Sequence, residues 1–339
     1  MVLYLEVKRM TIYDIARCCN VSIATVSRVL NGSSKVSNKT RDKVLAMMRE
    51  QNYTPNAFAR GLGLNSMKMI GILCTDVSDT FFAKAVSLVE RDLRTRGFDV
   101  LLACTGNELE DKKKYLQLLL EKRVDAIILI GSPFSELEDH AYIEETAKQI
   151  PIIIINGLVD HQNIYCVLCD EKKAMLKSVE LLHKQGYDKI LYLYDALTFG
   201  GQQKLLGYKQ GLKKYKLPED SHLFYRISKT TEAAMQKTTE LLQSGITFSA
   251  AIAAEDLLAV GIQKATIKAG LNIPVIGFNN SILAKCTTPE LTSVDNRLDI
   301  LCPTAVNKLI DILAGKKVPQ KTIISPKIIE RESFKLVHK

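Results

Sequence analysis

The residues of this chain best suited to recognising another molecule begin with the segment VSIATVSRVLNG at positions 21–32. Arg28 can donate two hydrogen bonds to a guanine edge, and small neighbouring side chains let a helix approach the floor of a major groove. Ser22 can cap such a helix. Its outward face would carry Ile23, Ala24, Thr25, Ser27 and Arg28. The pattern favours direct reading of DNA bases; the alternative is an ordinary packing helix with Arg28 solvated.

Two further helices are needed to hold this segment in place. The stretch TIYDIARCCN begins with Thr11 and Asp14 at the spacing of a capping box, which predicts a first helix. Val26 and Val29 supply the buried stripe of the second helix, and SNKTRDKVLAMMREQNY has the pattern of a third. A short turn between the first two helices would complete a helix-turn-helix unit.

Basic charge is concentrated in the same region. The 339-residue chain has a formal net charge of +9. Residues 1–68 hold eleven Lys and Arg against four Asp and Glu, which leaves 35 against 33 for the rest. A positive surplus on a small module is typical of phosphate binding, and we expect Lys35, Lys39 and Arg41 to contact phosphates. The alternative is a basic surface that is merely solvated.

From Met69 onward, apolar runs typical of β-strands alternate with helical stretches. MIGILCTD, FDVLLACT, DAIILIG and PIIIIN form one series, and KILYLYD, SAAIAAED and PVIGFNN form a second. Strands that are apolar throughout belong to parallel sheets covered by helices on both faces. We therefore expect an α/β core of two doubly wound parallel-sheet lobes behind a small all-α head. A ligand cleft should lie between the lobes, at the carboxyl ends of the strands.

Polar residues follow several of these predicted strands. They are Asp76 to Asp79, Asn156, Asp195, Glu255, Asp256, Asn279 and Asn280. At the carboxyl ends of parallel strands they would face the cleft and could hydrogen-bond a ligand. The alternative is that each is a turn residue or a helix cap.

Motifs of other functional classes are missing from the sequence. It has no GxGxxG after the first strand, no P-loop, no GxSxG and no HExxH, and its histidines lack metal-ligand spacing, so we expect no enzyme, cofactor or metal. Cys166 and Cys169 form a CxxC inside a β-like run without a second pair, which favours free thiols. There is neither a membrane-length apolar run nor a signal peptide, so we expect a cytoplasmic protein without a membrane partner.

Three motifs carry a resemblance to a known family. They are TIYDIA from Thr11, VSIATVSRVLN ending at Asn31, and NYTPNAFARGL ending at Leu62. In this order they resemble the head and hinge of the LacI/GalR family of repressors. The resemblance implies DNA contacts from Thr11, Tyr13, Asn31 and Lys35 beside the outward face of the second helix. Ile23 and Ala24 match positions that vary with operator sequence, and ATVSR most resembles the catabolite-control branch.

The resemblance also identifies residues 55–68 as a hinge helix and linker. Pro55 fits a first helical turn, where its missing N–H costs nothing. The implied DNA contacts are Asn56, Ala59 and Leu62, with Leu62 as a wedge in the minor groove. Because glycines flank Leu62, we expect the hinge to be helical only when paired across a dimer on DNA. A plain flexible linker is the alternative.

The remaining chain resembles the periplasmic sugar-binding-protein fold of the same family. The implied domains are a head at 1–54, with an unstructured extension at 1–9, and an effector-binding core at 69–333. The core would divide into an N-lobe (69–167 and 296–324) and a C-lobe (168–295 and 325–333). The implied effector contacts are Asp79, Phe81, Phe82, Asn156, Lys204, Glu255, Asp256, Asn279 and Asn296.

Several of these positions depart from the family pattern. Lys204 stands where an effector-binding arginine is usual, and lysine is a point donor rather than a planar fork. Glu255 replaces a usual asparagine and Asn279 a usual aspartate. The added charge of Glu255 would repel an anionic effector unless Lys204 neutralises it. These departures leave two alternatives, an effector unlike the common sugars or no effector.

The expected function is transcriptional regulation, with repression favoured. One short helix-turn-helix reads only a few base pairs, so we expect a homodimer on a near-palindromic operator with half-sites about 34 Å apart. The C-terminal FKLVHK lacks the leucine heptads of tetrameric family members. A sugar-like effector between the lobes would change their angle and hence operator affinity. The alternatives are a solute-binding protein without a regulatory role and a regulator controlled by a protein corepressor.

Overall fold

A computed structural model describes residues 10–30, 32–51, 53, 66–135 and 140–334. The chain divides after Met69 into two units. Asn31, Asn56, Ala59 and Leu62 lie outside the described residues, as does most of the predicted hinge. In the described part of the chain, no helix is both long and apolar enough to cross a membrane.

The first unit contains a three-helix head. Its helices are α1 (Ile12–Cys18), α2 (Ile23–Leu30) and α3 (Asn38–Glu50). The predicted capping box is confirmed, because Thr11 N–H donates to the Asp14 carboxylate and Asp14 N–H donates to Thr11 Oγ1. Ser22 Oγ accepts a hydrogen bond from the N–H of Thr25 at the start of α2. Fully buried Ile15, Val26 and Val44 bring one side chain from each helix into a shared core.

Six described strands form the sheet of the N-lobe. They are β1 (Met69–Cys74), β2 (Asp99–Cys104), β3 (Ala126–Ile130), β4 (Ile152–Ile155), β5 (Ile164–Cys169) and β11 (Lys321–Ile324). Their order is β11-β5-β4-β3-β1-β2, and the pairings from β11 to β1 are parallel. The accompanying helices are α4 (Thr80–Thr95), α5 (Leu109–Glu121), α6 (Ala141–Ala147) and α12 (Leu298–Leu313).

The C-lobe repeats this plan. Its strands are β6 (Ile190–Tyr194), β7 (Phe224–Arg226), β8 (Ala250–Ala253), β9 (Val275–Phe278), β10 (Thr292–Asp295) and β12 (Lys327–Ile329). Their order is β12-β10-β9-β8-β6-β7, and only β12 runs antiparallel to its neighbour. The helices are α7 (Glu171–Lys184), α8 (Phe199–Lys214), α9 (Thr231–Gln243), α10 (Asp256–Lys268) and α11 (Leu283–Cys286).

The central strands are apolar along their whole length because both faces are covered. Every residue of β3 (AIILI) and of β4 (IIII) is buried. In the C-lobe, Tyr192 and Leu193 are neighbours on β6 but belong to different apolar clusters, one on each face of the sheet. The predicted fold class, two parallel-sheet lobes behind a helical head, is therefore confirmed.

In the described part of the core, the chain passes between the lobes three times, each time through a very short connection. One residue separates β5 from α7, and two residues separate β10 from α12 and β11 from β12. Although α12 follows a C-lobe strand, it packs in the N-lobe core through Leu301 and Leu309. β5 continues to Cys169, two residues beyond the predicted end of the first N-lobe segment at 167.

Close packing of α8 on α7 depends on glycines. A Cβ added at Gly207 would overlap the carbonyl oxygen of Lys172, and one at Gly211 would crowd Val179. Overpacking of this kind typically costs about 1–3 kcal/mol. We expect Gly207→Ala to lower the free energy of unfolding of the core by that amount, measured by urea unfolding of the full chain. Lys213→Ala, on the exposed side of α8, is the control; equal unfolding midpoints for both variants would contradict this packing.

Candidate functional site

The outward face of α2 is exposed in the head. Ile23 is 41% exposed, Ala24 and Arg28 are also exposed, and Thr25 and Ser27 are half-buried. The hydroxyls of Ser22 and Thr25 lie 2.9 Å apart in a hydrogen bond, so they form a small polar surface at the start of the helix. A helix presenting this face can approach base edges closely, with Arg28 one turn further along.

Other predicted DNA contacts are exposed on neighbouring parts of the head. Thr11 and Tyr13 are exposed at the start of α1, with Tyr13 at 63%, and Lys35 is exposed between α2 and α3. Arg41 is less available than the sequence suggested, because its guanidinium donates a 2.6 Å hydrogen bond to the carbonyl of Ser33. Arg41 therefore fastens the turn before α3, whereas Lys35 and Lys39 remain exposed.

A cleft between the lobes forms a cavity of about 870 Å³. Its walls are the segments that follow the carboxyl ends of the strands, as expected for open parallel sheets. Seven of the predicted effector contacts line it: Asp79, Phe81, Phe82, Asn156, Lys204, Glu255 and Asn279. The two phenylalanines are 9% exposed and pack edge to face, so they contribute only a small apolar part of the wall.

Lys204 lies at the floor of this cleft and is buried. Its Nζ is 3.6 Å from both Glu171 Oε1 and Glu255 Oε1, and it donates a 3.0 Å hydrogen bond to the carbonyl of Ala254. The ammonium also lies 4.2 Å from the ring centre of Phe278. Burial lowers the pKa of Lys204, but the carboxylates of Glu171, Glu255 and Asp195 together outweigh it, and the net pKa is raised. Lys204 therefore stays charged, held between two acids.

Lys229 connects the two lobes across the cleft. It belongs to the loop before α9 in the C-lobe, and its Nζ lies 2.7 Å from Asp79 Oδ2 in the N-lobe. Asp79 also caps α4, because its Oδ1 accepts the N–H groups of Phe81 and Phe82. A hydrogen bond of 2.8 Å between Ser132 and Thr198 joins the lobes at a second point.

Glu255 is the common partner of the two lysines. Its Oε1 lies 3.6 Å from Lys204 and 3.7 Å from Lys229, and its Oε2 accepts a hydrogen bond from Asn279. Burial raises the pKa of the Glu255 carboxyl to about 7, although both lysines act to lower it. The carboxylates of Asp195 and Asp79 add to the increase. The Glu255 carboxyl can therefore keep its proton close to neutral pH.

Two predicted effector contacts do not line this cleft. Asp256 is turned into the C-lobe, where its oxygens accept 2.6 Å hydrogen bonds from Ser281 N–H and from Ser293 Oγ. It borders only a smaller cavity of about 110 Å³. Asn296 is 1% exposed and donates to Asn279 Oδ1 over 2.7 Å, so it lies behind the wall and positions Asn279.

Sequence reasoning missed several charged residues that line the cleft. Glu171, at the start of α7, accepts a 3.2 Å hydrogen bond from Asn156 in addition to its contact with Lys204. Arg226 is the last residue of β7, a short strand that the sequence pattern did not reveal, and Lys229 follows that strand. Their position at or after a strand end is the only signal that could have identified them.

A helix-turn-helix head followed by a two-lobed core with a polar cleft defines a class of DNA-binding regulators that respond to a ligand. Comparison with known proteins agrees. The family described as "Bacterial regulatory proteins, lacI family" matches residues 11–56. The family described as "Periplasmic binding proteins and sugar binding domain of LacI family" matches residues 67–333.

Individual relatives extend over nearly the whole chain. An HTH-type transcriptional regulator of Lachnoclostridium phytofermentans is 48% identical over 330 residues, covering 96% of this chain and 99% of that protein. Catabolite control protein A of Streptococcus mutans is 32% identical and covers 93% of this chain and 94% of its own length. A crystal structure of the lac repressor dimer bound to operator and the anti-inducer ONPF superposes with a TM-score of 0.86 at 25% identity, covering 96% of this chain and 99% of that one.

The chain therefore belongs to the LacI family of bacterial regulatory proteins. It is a DNA-binding transcriptional regulator, as the sequence predicted. Since the family consists of regulators, the prediction that the chain is not an enzyme is confirmed as well.

The raised pKa of Glu255 gives a testable pH dependence. The folded protein binds this proton more tightly than the unfolded chain, so the associated stability is complete below pH 4.5 and is lost as the pH rises to about 7. Glu255→Gln cannot titrate and should gain about 3 kcal/mol relative to the wild type across this range. Urea unfolding of both proteins from pH 4.5 to 8 measures the difference.

Asp256, whose pKa burial raises to about 6, contributes the same pH dependence to both proteins and cancels in the comparison. If the two stability curves ran parallel, the proposed protonation of Glu255 would be wrong.

Proposed function

We propose that this regulator binds a near-palindromic operator as a homodimer and that a small, sugar-like molecule in the interlobe cleft changes its affinity for that operator. The observation that carries the proposal is the exposed face of α2, which presents Arg28 beyond a small polar surface. Such a face, on a basic three-helix head, is suited to base reading in the major groove.

A dimer is expected because one head alone contacts too few base pairs for specific binding. A single recognition helix contacts only a few base pairs, and two heads about 34 Å apart would contact successive major grooves on one side of the duplex. The similar lac repressor structure is a dimer bound to operator. Thr11, Tyr13, Ser22, Ile23, Ala24, Thr25, Ser27, Arg28, Asn31 and Lys35 are the proposed contacts in the head, and Asn56, Ala59 and Leu62 those in the hinge. Binding to the chromosome would place the protein in the cytoplasm.

The effector site is supported by the size and lining of the cleft. A cavity of about 870 Å³ lies within the usual range for small-molecule sites. The proposed contacts combine carboxylates and an amide that suit hydroxyl groups, namely Asp79, Glu255 and Asn279, with Phe81 and Phe82 as an apolar edge. Lys204 acts by holding Glu171 and Glu255 in place.

Coupling between ligand and DNA would pass through the lobe angle. An effector that replaces the Asp79–Lys229 ion pair, or strengthens it, favours one angle over another. A difference of about 1–3 kcal/mol between the two states suffices for a 5- to 150-fold change in operator affinity. A transport protein without a regulatory role would not need the helix-turn-helix head.

The test is selection of bound duplexes from a random DNA pool, followed by salt titration of the winning sequence. We expect a near-palindrome with two half-sites. Absence of enrichment, both without ligand and with sugars added, would contradict sequence-specific binding.

Arg28→Ala tests the base contact directly. Removing a bidentate guanine contact should cost about 1–3 kcal/mol at the selected operator and change binding to unrelated DNA little. Lys35→Ala is the matched control, since loss of a phosphate contact should weaken binding to both DNAs alike and reduce the salt slope by about one. Equal losses on both DNAs for Arg28→Ala would show that Arg28 contacts only phosphate.

A further inference from the structure

The charges that line the cleft do not balance. Among the described residues, five carboxylate side chains line it: Asp76, Asp79, Glu171, Asp195 and Glu255. Three cationic side chains oppose them, Lys204, Arg226 and Lys229. With every group ionised, this lining carries two negative charges in excess, and it still carries one when Glu255 is protonated. A cavity with this lining repels an anionic ligand and attracts a cationic one.

The two lysines are already committed to acids of the protein. Lys204 is held by Glu171, Glu255 and the carbonyl of Ala254. Lys229 is held by Asp79 across the cleft. Both ammonium groups also attract the Asp195 carboxylate, but only at longer range.

Asp195 is the lining carboxylate that the two lysines attract only at longer range. It follows β6 at the edge of the cleft and is half-buried. Arg226 donates to the main-chain carbonyl of Asp195, and no described side chain forms an ion pair or hydrogen bond with the Asp195 carboxylate. A half-buried carboxylate of this kind, facing a cavity, is a site for a hydrogen-bonding cation.

We infer that the effector carries a protonated amine, in the manner of an amino sugar, and that the Asp195 carboxylate binds its ammonium. The inference rests on the proposed function, since it specifies the ligand of the same cleft. The hydroxyl groups of the ligand contact the other polar side chains, and sugar phosphates and sugar acids are excluded by repulsion from the acidic lining.

The charge state of Glu255 supplies an independent signature of such a ligand. Glu255 is faced by Lys204 from α8, Lys229 from the loop before α9, Asp195 from the end of β6, Asp79 from the start of α4 and Asn279 from the end of β9. Its pKa of about 7 leaves it largely protonated at about pH 6.5. An ammonium entering the cleft lowers that pKa, so binding releases part of a proton, whereas a neutral sugar does not.

The experiment uses the full-length chain and matched sets of sugars at about pH 6.5, where hexosamines are cationic. Each set contains a hexosamine, the parent hexose and the hexuronate, in the gluco, galacto and manno series. Isothermal titration calorimetry in two buffers of different ionisation enthalpy gives affinity and proton release together. We expect at least one hexosamine to bind about 10- to 100-fold more tightly than its hexose, with proton release, and no hexuronate to bind.

Two variants then test whether Asp195 binds the ammonium group of the ligand. Asp195→Asn removes the charge at nearly constant shape and should abolish the preference for the hexosamine, whereas Asp160→Asn, an exposed carboxylate outside the cleft, should keep it. The wild-type measurements do not depend on whether either variant folds.

Three outcomes overturn the inference: a hexose that binds as tightly as a hexosamine that binds, a hexuronate that binds, or failure of all three hexosamines to bind. Binding of a neutral hexose leaves the proposed function intact. Failure of operator selection contradicts the proposed function instead, so the two failures are distinguishable.

Discussion

A buried ammonium group at the floor of the cleft is the constraint on which the rest of the core depends. Lys204 is removed from water, and an unpaired charge there would be strongly destabilising. Glu171 and Glu255 must therefore be brought to it from two different elements, α7 and the end of β8. Their positions are fixed in turn by Asn156 and Asn279. The polar floor is a connected network, so a change in any member removes a hydrogen bond or an ion pair from its neighbours.

The same network extends across the lobes. Glu255 lies within ion-pair distance of both Lys204 and Lys229, and Lys229 reaches Asp79 in the N-lobe. Asp79 also caps α4, whose first turn places Phe81 and Phe82 at the edge of the cleft. One continuous set of charges therefore links the floor of the cleft, its apolar edge and both lobes.

Much of this could be predicted from the sequence, because the signals are local. Each of these signals lies within a short segment and specifies one element. They are the capping box at Thr11, the apolar face of α2 and the runs of β-branched residues. Positions after strand ends also indicated Asp79 and Glu255, since the carboxyl ends of parallel strands converge. The sequence did not indicate Glu171 or Lys229, whose roles depend on partners distant in sequence. Nor could it show that Asp256, next to Glu255, points the opposite way and is used inside the lobe.

The three connections between the lobes, each one or two residues long, limit how the core can move. Links so short limit sliding and separation of the lobes, so rotation near the links is the motion that they restrict least. Asn296 lies in one of them and is hydrogen-bonded to Asn279 in the cleft wall. A ligand that contacts Asn279 thus acts close to the links between the lobes. A small displacement there corresponds to a large movement at the far ends of the lobes.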